Sequence, residues 1–261
     1  MNILFIGDIV GKLGRKALLK NLSLIRKKYN ISFVIANGEN ITNGKGISPS
    51  HYGFLIDNGV DCITLGNHYD HQREIYNIIE NEEVIRPLNL IHENNGEGSR
   101  TYNVDGVKIR VTNLLGTNTS KQEIEHPYDS IINVISEDDS DIHIIDFHAE
   151  FTGEKKALAY SLKNSVSAIV GTHTHVQTRD NQVLSTGPLY ISDVGMCGLY
   201  DSVLGTEYNS VVSRIIFRDE HARFTQLDKG DTLFNAVILK FDDITFKGKE
   251  ILPLYIVDKG E

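Results

Sequence analysis

A chain of 261 residues, 40% apolar and 23% charged, has the composition of an ordinary soluble globular protein long enough to build a large core. Its net charge of −9 carries no basic stripe that would track a nucleic-acid backbone, which argues against a long duplex as partner. Two cysteines, Cys62 and Cys197, make no disulfide framework, and the apolar run Ile3 to Ile6 stops at Gly7-Asp8, too short for a signal peptide or a membrane span; a cytoplasmic protein with no membrane partner is expected.

Ile3 to Ile6 reads as a strand buried on both faces. From Gly14 a helix is predicted, with Leu18, Leu22 and Ile25 on one face and Arg26-Lys27-Lys28 at its end, where cations complement the dipole. Phe33 to Ala36 is a second strand ending in Asn37-Gly38-Glu39-Asn40, and Gly44, Gly46 and Pro49 mark a loop. A helix over Ser50 to Asn58 follows, with Ser48 or Ser50 as cap. Cys62 to Leu65 is a third strand ending in Gly66-Asn67-His68, with a helix predicted over Gln72 to Glu82. This repeated strand-loop-helix order is that of an α/β sheet with right-handed crossovers, whose ligands bind beyond the carboxyl ends of the strands.

Asp105-Gly106, between Thr101–Val104 and Val107–Leu115, is a hairpin signal. Asp129 to Ile135 is predicted helical, Glu137 to Asp141 a solvated acidic turn, and Ile142 to Phe147 a strand ending in His148. A helix over Glu154 to Lys163 leads to the strand Ser167 to Val170 and then Gly171-Thr172-His173-Thr174-His175. Leu189 to Ile191, Val211-Val212, Phe234 to Phe241 and Ile251 to Val257 read as mostly strands, the last ones antiparallel. Without repeats, low-complexity segments or linkers, one domain over residues 1–261 is expected.

Five strand ends therefore carry Asp8, Glu39-Asn40, Asn67-His68, His148, and His173 with His175. Residues i and i+2 of an extended chain point to the same side, so His173 and His175 are expected to present their rings together. Hard oxygen donors with imidazoles suit Mn, Fe or Zn, and the lack of thiolates argues against a structural Cys-type zinc. The donors exceed what one four-coordinate ion needs, and two ions about 3.5–4 Å apart form the clamp used in phosphoryl hydrolysis. Asp146 and Glu150 flank His148 and are candidates to orient it, although strand alternation gives them no clear direction. No convergent partner is found for His51, His71, His92, His126, His143 or His221.

Gly7-Asp8, Gly38-Glu39-Asn40, Gly66-Asn67-His68, His148 and Gly171 to His175 resemble the successive motifs of calcineurin-like metallophosphoesterases. The likeness narrows to the YmdB-like phosphodiesterase family through Ile6 to Gly11, Asn37 to Asn40, Asp146 to Glu150, Val170 to Thr178 and Ser192 to Met196. It implies an α/β/β/α sandwich with a metal site at the carboxyl ends of its strands. It also implies two transition-metal ions, one held by Asp8, Glu39, Asn40 and His175, the other by Glu39, Asn67, His148 and His173, with Glu39 bridging. The wider superfamily has Asp-x-His where this chain has Val10 and begins its second motif with Asp where this chain has Glu39; the resemblance to the narrower family implies that Asn40 takes up the missing ligand. Where the narrower family commonly has Trp, this chain reads Tyr69-Asp70-His71.

The implied activity is phosphodiester hydrolysis, extending to 2′,3′- or 3′,5′-cyclic nucleotides, by a metal-bridging hydroxide attacking phosphorus, with His68 placed to protonate the leaving alkoxide or to stabilise the transition state electrostatically. Competing readings are a phosphomonoesterase or protein phosphatase on the same metal core and a non-catalytic, metal-stabilised regulatory protein. Nucleotide binding through Gly7 to Gly14 is weak, because the spacing is not Gly-x-Gly-x-x-Gly and no Walker lysine follows. Enzymes of this size and class are often symmetric homo-oligomers.

Overall fold

The computed structural model describes residues 1–260. Its strands are β1 (Asn2–Ile6), β2 (Asp8–Ile9), β3 (Ile31–Asn37), β4 (Cys62–Thr64), β5 (Val84–Ile85), β6 (Ser99–Val104), β7 (Val107–Leu115), β8 (Ile142–His148), β9 (Ala168–Thr172), β10 (Gln182–Val183), β11 (Leu189–Ile191), β12 (Met196–Leu199), β13 (Thr232–Phe241) and β14 (Gly248–Asp258). The helices are α1 (Gly11–Tyr29), α2 (Pro49–Asp57), α3 (Pro127–Ser136), α4 (Thr152–Leu162) and the short α5 (Tyr208–Val211).

One eight-stranded sheet runs β2-β12-β13-β1-β3-β4-β5, with β14 also paired to β13; a six-stranded sheet runs β10-β11-β9-β8-β7-β6. β1, β3, β4 and β5 pair in parallel in the first sheet, and β7, β8, β9 and β11 in the second. The near-continuous burial of β1, β3, β8 and β9 follows, because a parallel strand is covered on both faces. Phe5, Ile35 and Val237 of one sheet meet Val111, Ile144 and Val170 of the other in a shared apolar layer. On the outer faces Leu18, Leu22 and Leu55 cover the first sheet, and Ile131, Leu158 and Leu162 cover the second. The result is the expected α/β/β/α sandwich, and the parallel strands of both sheets deliver their carboxyl ends to one edge of it.

The Asp105-Gly106 hairpin forms with Val104 opposite Val107, and both turn residues take positive φ, as a two-residue turn of this twist requires. Three expectations need correction. Gln72 to Glu82 holds only a short 3₁₀ turn over Arg73–Asn77 followed by irregular turns. Ile75, Ile78 and Ile79 keep the helical spacing, but these β-branched residues are poor helix formers, and tight turns bury them. Val211-Val212 lies not in a strand but in a helix that Glu207 caps by accepting from Asn209 N and Ser210 N. The acidic turn at 137–141 is only partly solvated: the Asp138 side chain is 9% exposed and held by Arg110 and His143. No helix among the described residues is long and apolar enough to cross a membrane.

Candidate metal centre

Glu39 and His148 form the buried heart of the cluster. Glu39 follows β3 and is 1% exposed; His148 is the last residue of β8 and fully buried. Around His148 Nε2 lie Asn67 Oδ1 at 2.9 Å, His173 Nδ1 at 3.1 Å and Glu39 Oε1 at 3.3 Å. The same Glu39 oxygen meets Asn40 Nδ2 at 2.9 Å, and that nitrogen is 3.3 Å from His175 Nε2 and 3.4 Å from Asp8 Oδ1. His175 Nε2 is 3.7 Å from Asp8 Oδ1. His68 closes the group, its amide donating to Glu39 Oε2 at 2.8 Å and its Nδ1 lying 2.9 Å from Asn40 Oδ1. Every site residue expected from the sequence is thus in one connected cluster.

Hydrogen bonds fix how the rings are presented. Thr172 donates its hydroxyl to Asp146 Oδ1 at 2.6 Å, so the His148 Nδ1–H 2.9 Å away is the donor to Thr172 Oγ1. Asp146 itself is anchored by Asn37 Nδ2 at 3.1 Å. His175 Nδ1 donates to the Leu204 carbonyl at 3.1 Å, which leaves its Nε2 lone pair facing Asp8 and Asn40. Asp146 therefore orients His148 through Thr172. Glu150 meets His173 Nε2 instead, at 3.2 Å.

The His-x-His pair does not work as expected. β9 ends at Thr172, and His173 and His175 adopt φ of 99° and 66°, outside any extended conformation. Their rings reach the same cluster because the backbone turns there, and each meets a different partner.

Burial and mutual charge shift the ionisation of the cluster in opposing directions. Burial opposes ionisation of Glu39, but the His148 and His68 rings override it and hold its carboxyl well below the usual range. Burial would likewise push His148 down, yet Glu39, Asp8 and Asp146 raise it to about 9. Burial, then the His148 charge, lowers His173 to about 3. Burial raises Asp8 against the pull of His175 and His148.

The donor set fits metal ions. Donors bound to one ion at about 2.1 Å lie about 3.0 Å apart at octahedral angles and about 3.4 Å at tetrahedral ones. The contacts around His148 Nε2 span 2.9–3.3 Å. Glu39, His148 and His173 offer donor atoms all within 4.8 Å of one another. Asn40 Nδ2 now stands between the carboxylates of Asp8 and Glu39, so the side chain would offer its oxygen to an ion there only after a half-turn of its amide.

Gly66 is a second precondition of the cluster: a Cβ there would lie 2.3 Å from Glu39 Oε2 and 2.5 Å from His148 Nε2. Sequence reasoning missed Thr172 and Lys155, although Lys155 leaves a signal as a lysine on the apolar face of α4 beside Leu158, Ala159 and Leu162.

A family model described as YmdB-like protein matches residues 4–254. A Mycoplasma genitalium protein named as a candidate phosphatase/phosphodiesterase is 45% identical, the alignment covering 97% of this chain and 91% of the relative. The 2′,3′-cyclic-nucleotide 2′-phosphodiesterase of Bacillus subtilis is 38% identical over 99% of this chain and 98% of its own length. A Mycoplasma pneumoniae crystal structure described as a novel phosphatase superposes with a TM-score of 0.93 at 36% identity, covering 99% of this chain and 94% of that one.

Proposed function

Because this chain belongs to the YmdB-like family, we propose that it is a phosphodiesterase of small substrates, cyclic nucleotides among them, working with two Fe or Mn ions, with Zn a further candidate. The observation that carries this reading is the buried His148 Nε2 facing the donors of Asn67, Glu39 and His173. Asp8, Asn40 and His175 hold one ion, Asn67, His148 and His173 the other, and Glu39 is shared between them. Bound there, the ions clamp phosphate oxygens and lower the pKa of water.

His68 lies beside both groups, and its side chain is 26% exposed. Asn40 occupies its Nδ1, and once the Asn40 amide has turned its Nδ2 donates to that nitrogen, so the ring proton sits on Nε2, the nitrogen left to meet a leaving group. A cleft of about 560 Å³ opens next to it, with Asn67, His68, Asp70 and His71 on one wall and residues 118–122 on the other. The leaving group enters this cleft. Its lining holds amides, hydroxyls, Lys121 and Asp70 but no aliphatic or phenyl side chain, which suits a hydroxylated sugar and gives a base no apolar slot.

The test is elemental analysis of protein purified without added metal, then hydrolysis of a bis-aryl and a mono-aryl phosphate. The expected result is two ions per chain and preference for the diester. Less than about one ion per chain, with no activity after Mn or Fe is added, sinks the proposal. Preference for the monoester replaces it with a phosphatase. His68→Ala should lower kcat by about 10²–10⁴ without changing the metal content.

A further inference from the structure

Beneath the His173-Thr174-His175 turn lies an ion pair that the chemistry above leaves unused. Lys155 and Asp193 have side chains 0% and 1% exposed and are joined at 3.1 Å. Lys155 Nζ also donates to the Thr172 carbonyl at 2.8 Å. The Asp193 carboxylate accepts Thr174 N at 3.0 Å and Gly195 N at 2.8 Å. Gly195 in turn accepts the Asp8 amide through its carbonyl at 3.1 Å. A single buried carboxylate thus ties the Thr174 amide to Gly195, which in turn holds the first residue of β2, Asp8. Gly171 lets this happen: a Cβ there would lie 1.8 Å from the Ser192 carbonyl oxygen and 2.8 Å from Lys155 Cδ.

The turn needs holding. His173 and His175, with φ of 99° and 66°, occupy backbone regions that non-glycine residues keep only where the surroundings over-determine them. Two peptide groups join them, and Asp193 holds the N–H of the first, that of Thr174.

We infer that Lys155 and Asp193 are positioning residues, a buried ion pair that locks the His173–His175 backbone so that one ring meets His148 and the other Asp8. This rests on the reading that both imidazoles are metal ligands. It also gives a role to Asp193 in the Ser192–Met196 motif, which the proposed reaction does not use.

Two measurements test it. In metal-free wild-type protein the Thr174 amide should exchange its hydrogen at least about a thousandfold more slowly than in a free peptide. Exchange at the free-peptide rate overturns the inference, whatever the variants do. Lys155→Met combined with Asp193→Asn removes both charges together, the kind of replacement that buried pairs often tolerate. Titrated with Mn²⁺ well below its melting temperature, this double variant should bind at least one ion about tenfold or more weakly than wild type. Wild-type affinity for both ions overturns the inference. A wild-type chain that takes up no Mn²⁺ refutes the reading beneath it, and does so separably, because the exchange experiment needs no metal.

Discussion

Gly66→Ala places one methyl group where the cluster has no room for it. The new Cβ would lie 2.3 Å from Glu39 Oε2 and 2.5 Å from His148 Nε2, so each must retreat by about 1 Å to reach ordinary contact. Both side chains are almost fully buried and cannot swing into solvent. Metal–ligand distances tolerate about 0.2 Å, and a misplacement of about 1 Å near the chemistry costs about 10²-fold in rate. Overpacking itself costs only about 1–3 kcal/mol, a small part of the stability of a folded domain, so the variant should fold. Gly66 does not have positive φ, so alanine brings no backbone strain. Metal titration and hydrolysis of a bis-aryl phosphate should therefore collapse together, each by about 10²-fold or more, while the thermal transition moves by a few degrees. Gly53→Ala is the control. It lies inside α2 with nothing within 4 Å of its Cβ position, and it should leave metal and rate alone while stabilising by about 0.5–1 kcal/mol. A Gly66→Ala protein with wild-type metal content and rate would refute the reasoning.

Asp138 supplies a pH prediction far from the site. Burial pushes its carboxyl up, but His143, the Ser140 amide and Arg110 override this and hold it well below the usual carboxylate range. A depressed carboxylate stabilises above its unfolded pKa of about 3.9, and that stability is lost as pH falls further. Urea midpoints at pH 7 and pH 3 should show Asp138→Asn about 1–3 kcal/mol weaker at pH 7 but less acid-sensitive than wild type; equal acid sensitivity contradicts it. Chelation should lower the melting temperature, since each ion at a thousandfold excess over its Kd adds about 4 kcal/mol; an unchanged melt argues against binding to the native state. The polar cleft beside His68 predicts kcat/KM values within about tenfold for the 2′,3′-cyclic nucleotides of all four bases, and a hundredfold preference for one would show that the base is read.

The parallel strands and their polar carboxyl ends were legible because both follow from local pattern. An apolar run of four or five residues broken by Gly-Asp, Gly-Glu-Asn or Gly-Asn-His announces a buried strand and the place where it stops. The position of β13 between β1 and β12 was not legible, since periodicity reports which face is buried and not which neighbour covers it. Gln72 to Glu82 failed for a related reason: its isoleucine spacing suits a helix, but short turns satisfy the same burial before β5. Thr172 escaped because a threonine hydroxyl gains meaning only from Asp146 and His148 on the neighbouring strand.

The His-x-His pair shows how a correct placement can come from a wrong premise. Alternation along a strand would point both rings to the same side. The chain leaves the strand at Thr172, and left-handed backbone at both histidines separates the rings, sending His173 to His148 and His175 to Asp8 and Asn40. On the reading proposed above, that separation, with Glu39 shared, is what provides for two ions instead of one. It depends on a conformation that neither histidine favours by itself, so the signal for it lies outside the motif, in a buried lysine on α4 and an aspartate before β12.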